Sequence, residues 1–339
     1  MKVCMHCFND LELKQFIASY SVEKGVCQYC NDGLSTELIE IEELLDFFAE
    51  FFEIFKEDEH GIPLIELILK DWNLFAVKTE SQNLLSDILL ALNLSYSNPC
   101  GRVSYIDDIT ECTSYWEILK ESIKWERRFL IDTDKLEDLG WDRFFEQQVK
   151  HPKSDSFYRA RLHNKGDQVP FKNIEMGSPH QTIVEDGRAN PLGIPYLYLC
   201  KSVATTLYEI RASYLDEVSV GEFKIKDDTE IILVDFTVST GAFFNIGQIL
   251  DHTKSMLLKK LISADLSKPM RRYDSRLEYI PTQFICEFIR NITDVDGIQF
   301  NSSLHSGGKN IVLFVQDKVE CVSVSKHRVN KVEIEAQKE

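Results

Sequence analysis

The chain has 339 residues, of which 44% are apolar and 27% charged, and its formal net charge is −17. These values are typical of a globular protein with about two domains and sizeable cores. The acidic balance argues against a general binder of polyanions, because nucleic-acid affinity depends largely on Lys and Arg, so nucleic acid is not expected as a partner. No run approaches about 18 uninterrupted apolar residues, and the N-terminus, MKVCMHCF, lacks the pattern of a signal peptide. We therefore expect no membrane segment and a cytoplasmic location.

Two CxxC pairs stand close to the N-terminus, separated by a 19-residue gap. Their members are Cys4, Cys7, Cys27 and Cys30. A CxxC pair can place two thiolates on one metal through a tight turn, and a second pair completes a tetrahedral site of four sulfurs. Such a closed site leaves no position for water, so we predict a structural Zn²⁺ that folds a knuckle or ribbon over residues 1–34. The alternatives are a redox CxxC, whose usual βαβ context is missing here, free thiols, or His6 as a substitute ligand.

Residues 35–150 are predicted to form a helical domain. From Leu38 to Phe55 the apolar residues recur three and four positions apart, and glutamates occupy the other side. Ten acidic residues lie between Glu37 and Glu59 against the single Lys56. Such an acidic face is usually solvated, and the alternative is a face that docks a partner or mimics nucleic acid. The segment VKHPKSDS, 149–156, is the best candidate for a linker to the following domain.

The stretch from Phe157 to Leu215 combines arginines, tyrosines and one glutamate in a way that packing alone does not require. The guanidinium forks of Arg159 and Arg188 match phosphate oxygens, and Tyr198, in the strand-like run PYLYLC, can stack on a base. A helix is predicted over VATTLYEI, and Glu209 lies away from its apolar stripe, where it can face a cleft. A carboxylate there can stabilise an oxocarbenium-like centre, so the set fits a dinucleotide cleaved at its glycosidic bond. The alternative is structural, because a lone Glu on a polar helix face is usually solvated and a strand Tyr usually belongs to the core.

Five ordered motifs in the second half of the chain resemble those of the RES-domain family, which is named for an arginine, a glutamate and a serine. They are YR at 158–159, GRANPLGIPYLYL at 187–199, TTLYE at 205–209, YIPTQ at 279–283 and DGIQFNSS at 296–303. Carried over position by position, the family's functional residues fall on Arg159, Arg188, Tyr198, Glu209 and a serine of FNSS, which we place at Ser302. Ser303 is the alternative, because the doublet leaves the register open by one.

The resemblance implies a fold similar to that of ADP-ribosyltransferases, with NAD⁺ as the substrate. Strand-like runs dominate the chain after residue 215, so the whole is predicted to be an α+β protein whose mixed α/β RES catalytic domain covers 155–335. The family roles would make four residues catalytic: Arg188, Tyr198, Glu209 and Ser302. The residues that would bind NAD⁺ are Arg159, Arg188, Tyr198 and Ser302. Ala189 stands where the family commonly has a bulky aromatic residue, and we expect this to alter the pocket wall.

The activity that the resemblance implies is that of a toxin that cleaves the nicotinamide glycosidic bond of NAD⁺, by hydrolysis or phosphorolysis, in a toxin–antitoxin or phage-defence system. The alternatives are transfer of ADP-ribose to a protein target, and a binding or sensor protein with a degenerate RES domain. An antitoxin or inhibitory protein is an expected partner, and an exposed apolar stripe on the N-terminal helices would permit a homo-oligomer. The basic run around Arg271 and Arg272 could form a lid over an anionic ligand, a surface for an acidic partner or a solvated loop.

Overall fold

The computed structural model describes all residues except 22, 31–32, 78, 95–97, 146–147, 167–168, 238–240, 270–274 and 334–339. The described residues form a mixed α+β fold, as the sequence predicts. They group into two compact units: the first comprises Met1–Tyr115 and Ser239–Leu258, and the second comprises Trp116–Val238 and Lys259–Glu339. The division of the chain into 1–34, 35–150 and 155–335 stays a prediction.

A small antiparallel sheet forms the start of the first unit, with three strands in the order β1-β3-β2. The strands are β1 (Lys2–Cys4), β2 (Glu23–Val26) and β3 (Ser35–Glu40). Helix α1 (Leu11–Tyr20) begins after Asp10, whose carboxylate accepts from the Leu13 amide at 3.0 Å and from the Phe243 amide at 3.1 Å. One side chain therefore caps α1 and also ties it to a later segment of the same unit.

The helix predicted from Leu38 to Phe55 is shorter than expected. Helix α2 covers only Leu45–Phe52, because residues 35–40 form strand β3, which pairs with β1 on one side and β2 on the other. These two ladders satisfy the backbone of β3, and tertiary pairing of this kind overrides a helical apolar pattern. Four buried phenylalanines of α2 pack in the core of the first unit: Phe47, Phe48, Phe51 and Phe52.

The rest of the first unit adds strands to the predicted helices. Its elements are β4 (Phe55–Pro63), α3 (Leu64–Asp71), α4 (Ser81–Leu92), β5 (Arg102–Tyr105) and the first part of α5 (Asp107–Trp125), and β4 pairs with β5. Glu50, from the predicted acidic face, accepts hydrogen bonds from the Gly247 and Ile249 amides where α8 (Ile249–Ser267) begins. A carboxylate is favourable at a helix N-terminus, so this acid stabilises the fold itself.

The second unit is built on a sheet in which eight described strands follow the order β13-β9-β7-β8-β12-β11-β10-β6. The strands are β6 (Gln148–His151), β7 (Ser156–Leu162), β8 (Leu197–Cys200), β9 (Glu217–Ile225), β10 (Ile231–Asp235), β11 (Gly297–Asn301), β12 (Lys309–Leu313) and β13 (Val319–Arg328). Neighbours are antiparallel except for the parallel pair β10 and β11. The segment 149–156, predicted as a linker, begins within β6, which pairs with β10, and its residues 152–155 connect β6 to β7.

The second unit also contains helices, which precede or separate its strands along the chain. They are the last part of α5, α6 (Thr133–Asp138), α7 (Val203–Glu209), the last part of α8 and α9 (Ile280–Ile292). Ser202 caps α7 by accepting a hydrogen bond from the Thr205 amide at 3.1 Å. The apolar side of α7 packs on β7 and β9, which fixes its rotation and leaves Glu209 on another side. Among the described helices, none combines the length and apolar character that a membrane span requires.

Candidate functional site

The four cysteines of the two CxxC pairs lie together in the first unit, as the sequence predicts. All four are buried, and their sulfurs all lie within 4.8 Å of one another. The Sγ atoms of Cys4 and Cys7 are 3.8 Å apart, and those of Cys4 and Cys30 are 3.4 Å apart. Four thiolates bound to one Zn²⁺ at about 2.3 Å would stand about 3.8 Å from each other, so the donor set and spacing suit a structural zinc ion. His6 is exposed and is not a member of the described cluster.

A cavity of about 580 Å³ lies in the second unit, beside the middle strands of the eight-stranded sheet. Its lining comes from β7, the loop before β8, β8 itself, α7, the end of α8 and β12. Four of the predicted site residues line it together, and they are Arg159, Arg188, Tyr198 and Glu209. The size of the cavity falls in the usual range of small-molecule sites.

Two partly buried guanidinium groups, those of Arg159 and Arg188, line the cavity. Arg159 donates to the Gly177 carbonyl at 2.7 Å, and Arg188 donates to the Leu266 carbonyl at 2.8 Å. Neither forms an ion pair with any residue in the described part of the chain. Loss of hydration lowers the pKa of Arg188 and lowers the pKa of Arg159 to about 10, and both groups stay charged at neutral pH. Since a desolvated cation without an acidic partner is costly, these two guanidinium groups are suited to bind an anion supplied by a ligand.

Tyr198 connects the central strand β8 to the loop that carries Arg188. Its hydroxyl donates to Asn190 Oδ1 at 2.7 Å and accepts from the Ala189 amide at 3.1 Å. A Cβ at Gly187 would lie 2.6 Å from Asn190 Oδ1 and 2.7 Å from this hydroxyl, so a larger residue there would displace the pair. The ring of Tyr198 lines the cavity, whereas its hydroxyl is engaged in holding the loop.

The start of α9, more than 90 residues further along the chain, fixes the same loop. Thr282 donates its hydroxyl to the Arg188 carbonyl at 2.6 Å, and Gln283 donates Nε2 to the Gly187 carbonyl at 2.8 Å. These two residues belong to YIPTQ, and the two acceptors belong to GRAN. One sequence motif therefore positions another, and both serve the placement of Arg188.

Glu209 is the last residue of α7, and two donors hold its carboxylate. The Ser302 hydroxyl donates to Oε1 at 2.6 Å, and Asn310 Nδ2 donates to the same oxygen at 2.7 Å. Among the described residues, no hydrogen-bond partner reaches Oε2, so this oxygen is available to a ligand in the cavity. Burial raises the pKa of Cys200 to about 12, so its thiol stays protonated and donates to Asn310 Oδ1 at 3.3 Å. This bond orients the amide that holds Glu209.

The two serines of the FNSS segment have different surroundings. Ser302 donates to Glu209 and accepts from the amides of Leu304 and His305 at 3.2 and 3.1 Å. Ser303 is exposed and lines the cavity. A ligand would therefore meet Ser303 directly, whereas Ser302 acts on the carboxylate. The choice of Ser302 as the family serine stays a prediction.

Asn310 is a site residue that the sequence analysis missed. It lies on β12, next to β8, and its side chain is buried. The available signal was a single amide within the otherwise apolar run NIVLF. A buried polar group in a strand needs a partner, but the sequence does not show which one.

Two further expectations concern Ala189 and the basic run around Arg271 and Arg272. Ala189 is fully buried between Arg188 and Asn190, and the lining at this point comes from Gly187 and Arg188. The effect of the missing aromatic on the pocket wall stays a prediction. Arg271 and Arg272, from the basic run, lie outside the described residues.

The comparisons with known proteins add one match. The RES domain family model matches residues 156–334. No curated protein and no solved structure matches the chain. The matched region covers more than half of the sequence and contains all four predicted residues that line the cavity. The chain therefore belongs to the RES domain family.

Proposed function

We propose that this protein binds NAD⁺ in the cavity of the second unit and cleaves its nicotinamide glycosidic bond. Membership of the RES family supports an NAD-utilising enzyme in general. One observation carries the finer proposal: the cavity combines two guanidiniums that have no described acidic partner with a carboxylate that has one available oxygen. NAD⁺ offers the complementary groups, a pyrophosphate dianion and a ribose that becomes positively charged during cleavage.

Binding would rest on Arg159 and Arg188. Each guanidinium can form charge-assisted hydrogen bonds to phosphate oxygens, which are about twice as strong as neutral ones. The pyrophosphate would also give each guanidinium an anionic hydrogen-bond partner, so the desolvation cost of the two cations would be offset in the complex. The ring of Tyr198 would offer a face to the nicotinamide, and Ser303 would bond the ribose or the carboxamide.

The chemical step breaks the bond between C1′ of the ribose and N1 of nicotinamide. The bonding electron pair leaves with nicotinamide, which becomes neutral, and C1′ gains oxocarbenium character. Glu209 would stabilise this positive charge through Oε2, while Ser302 and Asn310 keep the carboxylate in place. Preorganised electrostatic stabilisation of this kind is commonly the largest contribution to catalysis. The oxygen of water or of phosphate then bonds C1′ and loses a proton to solvent.

We also propose that the four-cysteine cluster holds Zn²⁺ as a structural ion. All four sulfurs are buried, so the site is closed to substrate. The ion would stabilise the short sheet of β1, β2 and β3, because Cys4 ends β1 and Cys27 directly follows β2.

In the cell, we propose that NAD⁺ consumption makes the protein a toxin of a toxin–antitoxin or phage-defence system, kept inactive by an inhibitory protein. Loss of NAD⁺ arrests metabolism, so uninhibited activity would stop growth. Growth arrest on expression, with a parallel fall in cellular NAD⁺, is the expected result. Arrest without that fall would favour ADP-ribosylation of a protein target.

Nicotinamide release by the purified full chain tests the proposed reaction. We expect release from NAD⁺ by the wild type and its loss in Glu209→Ala. Appearance of ADP-ribose identifies water as the acceptor, and appearance of phosphorylated ADP-ribose only when phosphate is present identifies phosphate. Absence of release under both conditions contradicts the proposal, and it would turn attention to a protein acceptor or to a binding protein.

A further inference from the structure

One face of the last part of α5 carries three polar side chains that reach across to other segments of the second unit. Trp116 donates Nε1 to Asp265 Oδ2 at 2.7 Å, and Lys120 donates Nζ to the same oxygen at 2.9 Å. One turn later, Lys124 donates Nζ to Glu278 Oε1 at 3.1 Å. The spacing of four residues places all three on one side of the helix. Trp116 is fully buried, and the lysine side chains are only 14% and 9% exposed.

The two segments that receive these bonds are the ones that hold Arg188. Asp265 lies in the last turn of α8, where Arg188 donates to the main-chain carbonyls of Asp265 and Leu266. Glu278 lies directly before Tyr279, which lines the large cavity. A smaller cavity of about 210 Å³, bordered by the two lysines and the two acids, shares Arg188 and Tyr279 with the large one.

We propose that Trp116, Lys120 and Lys124, together called the α5 brace, are positioning residues for Arg188. This inference rests on the proposed role of Arg188 in binding the pyrophosphate. The family match begins at residue 156, so the brace lies in the part of the chain that precedes the family domain. The binding site is then completed by residues from outside that domain.

The charge of Asp265 explains why a brace is needed. A carboxylate near the C-terminus of a helix is unfavourable, because the free carbonyls there carry partial negative charge. Trp116 and Lys120 compensate this charge directly. Without them the last turn of α8 would open more often, and the carbonyls that hold the Arg188 guanidinium would move with it.

Lys120→Met removes the cation and keeps most of the apolar stem. We expect the KM for NAD⁺ to rise about tenfold, as for loss of one partner of a buried hydrogen bond, with kcat changed by less than about twofold. Lys120→Arg should restore the wild-type KM, because it again offers a cation to Asp265. Lys326→Met is the matched control, since Lys326 also pairs with a buried carboxylate in this unit, that of Glu217 at 2.7 Å, but lies away from both cavities.

Hydrogen exchange of the full chain provides a reading that does not depend on NAD⁺ chemistry. The amides of Gly187 and Ala189 are protected by bonds to the Asn190 carbonyl and the Tyr198 hydroxyl. In Lys120→Met we expect peptides that cover 187–190 and the last turn of α8 to exchange about tenfold faster, with no change in Lys326→Met. Thermal unfolding shows that each variant is folded, and Lys124→Met serves as the second test if Lys120→Met is not.

The outcomes separate the two proposals. If the wild type cleaves no NAD⁺ but Lys120→Met still exchanges faster than the wild type, the α5 brace is supported and only the proposed function is overturned. Unchanged exchange and unchanged KM in folded Lys120→Met overturn the brace. A fall in kcat with unchanged KM also overturns it, because a displaced Arg188 should weaken binding first.

Discussion

Replacement of Glu209 by glutamine separates the charge of this side chain from its shape. Glutamine has nearly the same size, and its carbonyl oxygen can still accept from Ser302 and Asn310, which now bond Oε1 at 2.6 and 2.7 Å. The fold and the loop 302–308 should therefore be retained. The atom that faces the cavity changes from a carboxylate oxygen to a neutral amide nitrogen, so the negative charge there is lost.

The expected loss of activity follows from the charge alone. Two unit charges about 4 Å apart interact by about 4 kcal/mol at the effective dielectric constant of 20 that suits partly buried sites. If Glu209 stabilises an oxocarbenium ion at about that distance, its neutral replacement should lower kcat by about a thousandfold. The KM for NAD⁺ should change little, because the ground-state ribose is uncharged.

Nicotinamide release under saturating NAD⁺ measures this effect. Glu222→Gln is the control, because Glu222 also accepts from two serine hydroxyls, those of Ser156 and Ser323, but lies outside the cavity lining. Glu222→Gln should keep wild-type kcat. If Glu209→Gln retains more than about a tenth of wild-type kcat, its charge contributes less than about 1.4 kcal/mol and the reasoning fails.

Three further predictions concern the rest of the chain. Cys27→Ser should abolish binding of one metal equivalent and lower the unfolding temperature, as measured by elemental analysis and calorimetry; full metal retention would contradict the four-sulfur site. Gly187→Ala places a methyl group 2.7 Å from the Tyr198 hydroxyl. Urea unfolding should therefore show a free energy of unfolding lower by about 1–3 kcal/mol, and an unchanged value would refute the close contact. Burial lowers the pKa of His151 from 6.5, so the unfolded chain binds a proton that the folded chain rejects. The contribution of His151 to the free energy of unfolding should be fully present above about pH 6.5 and decline below it. Urea unfolding at several pH values should show a weaker dependence on pH in His151→Gln.

Local chemistry in the sequence was enough to predict some of these features. The spacing of the two CxxC pairs predicted the four-cysteine cluster, because a short turn and a tetrahedral ion impose that spacing. The apolar repeat in α7 predicted which side of the helix packs on the sheet, and so left Glu209 for another side. In each case the deciding interactions lie within a few residues of one another or follow from a fixed period.

Features that depend on distant segments were not accessible in this way. Residues 35–40 have a helical apolar pattern but form β3, because two neighbouring strands satisfy their backbone. Asn310 contacts Glu209 from a strand about a hundred residues away, and Arg188 bonds carbonyls at the end of α8. No local preference indicates such pairs, since they exist only when the complete fold brings the distant segments together.

The arrangement around Arg159 and Arg188 is difficult to explain by stability alone. Within the described residues each guanidinium bonds main-chain carbonyls rather than a carboxylate, although the chain has 55 acidic residues to offer. Replacement of buried charges by apolar groups is often neutral or stabilising, so a purely structural role would not require two such cations in one cavity. Glu209, the acidic residue of the described lining, is instead held by neutral donors on one oxygen. The cavity thus combines these two cations with one anion, and each of the three is hydrogen-bonded to uncharged groups. Such a site suits a ligand that has an anionic part and a part that becomes cationic during the reaction.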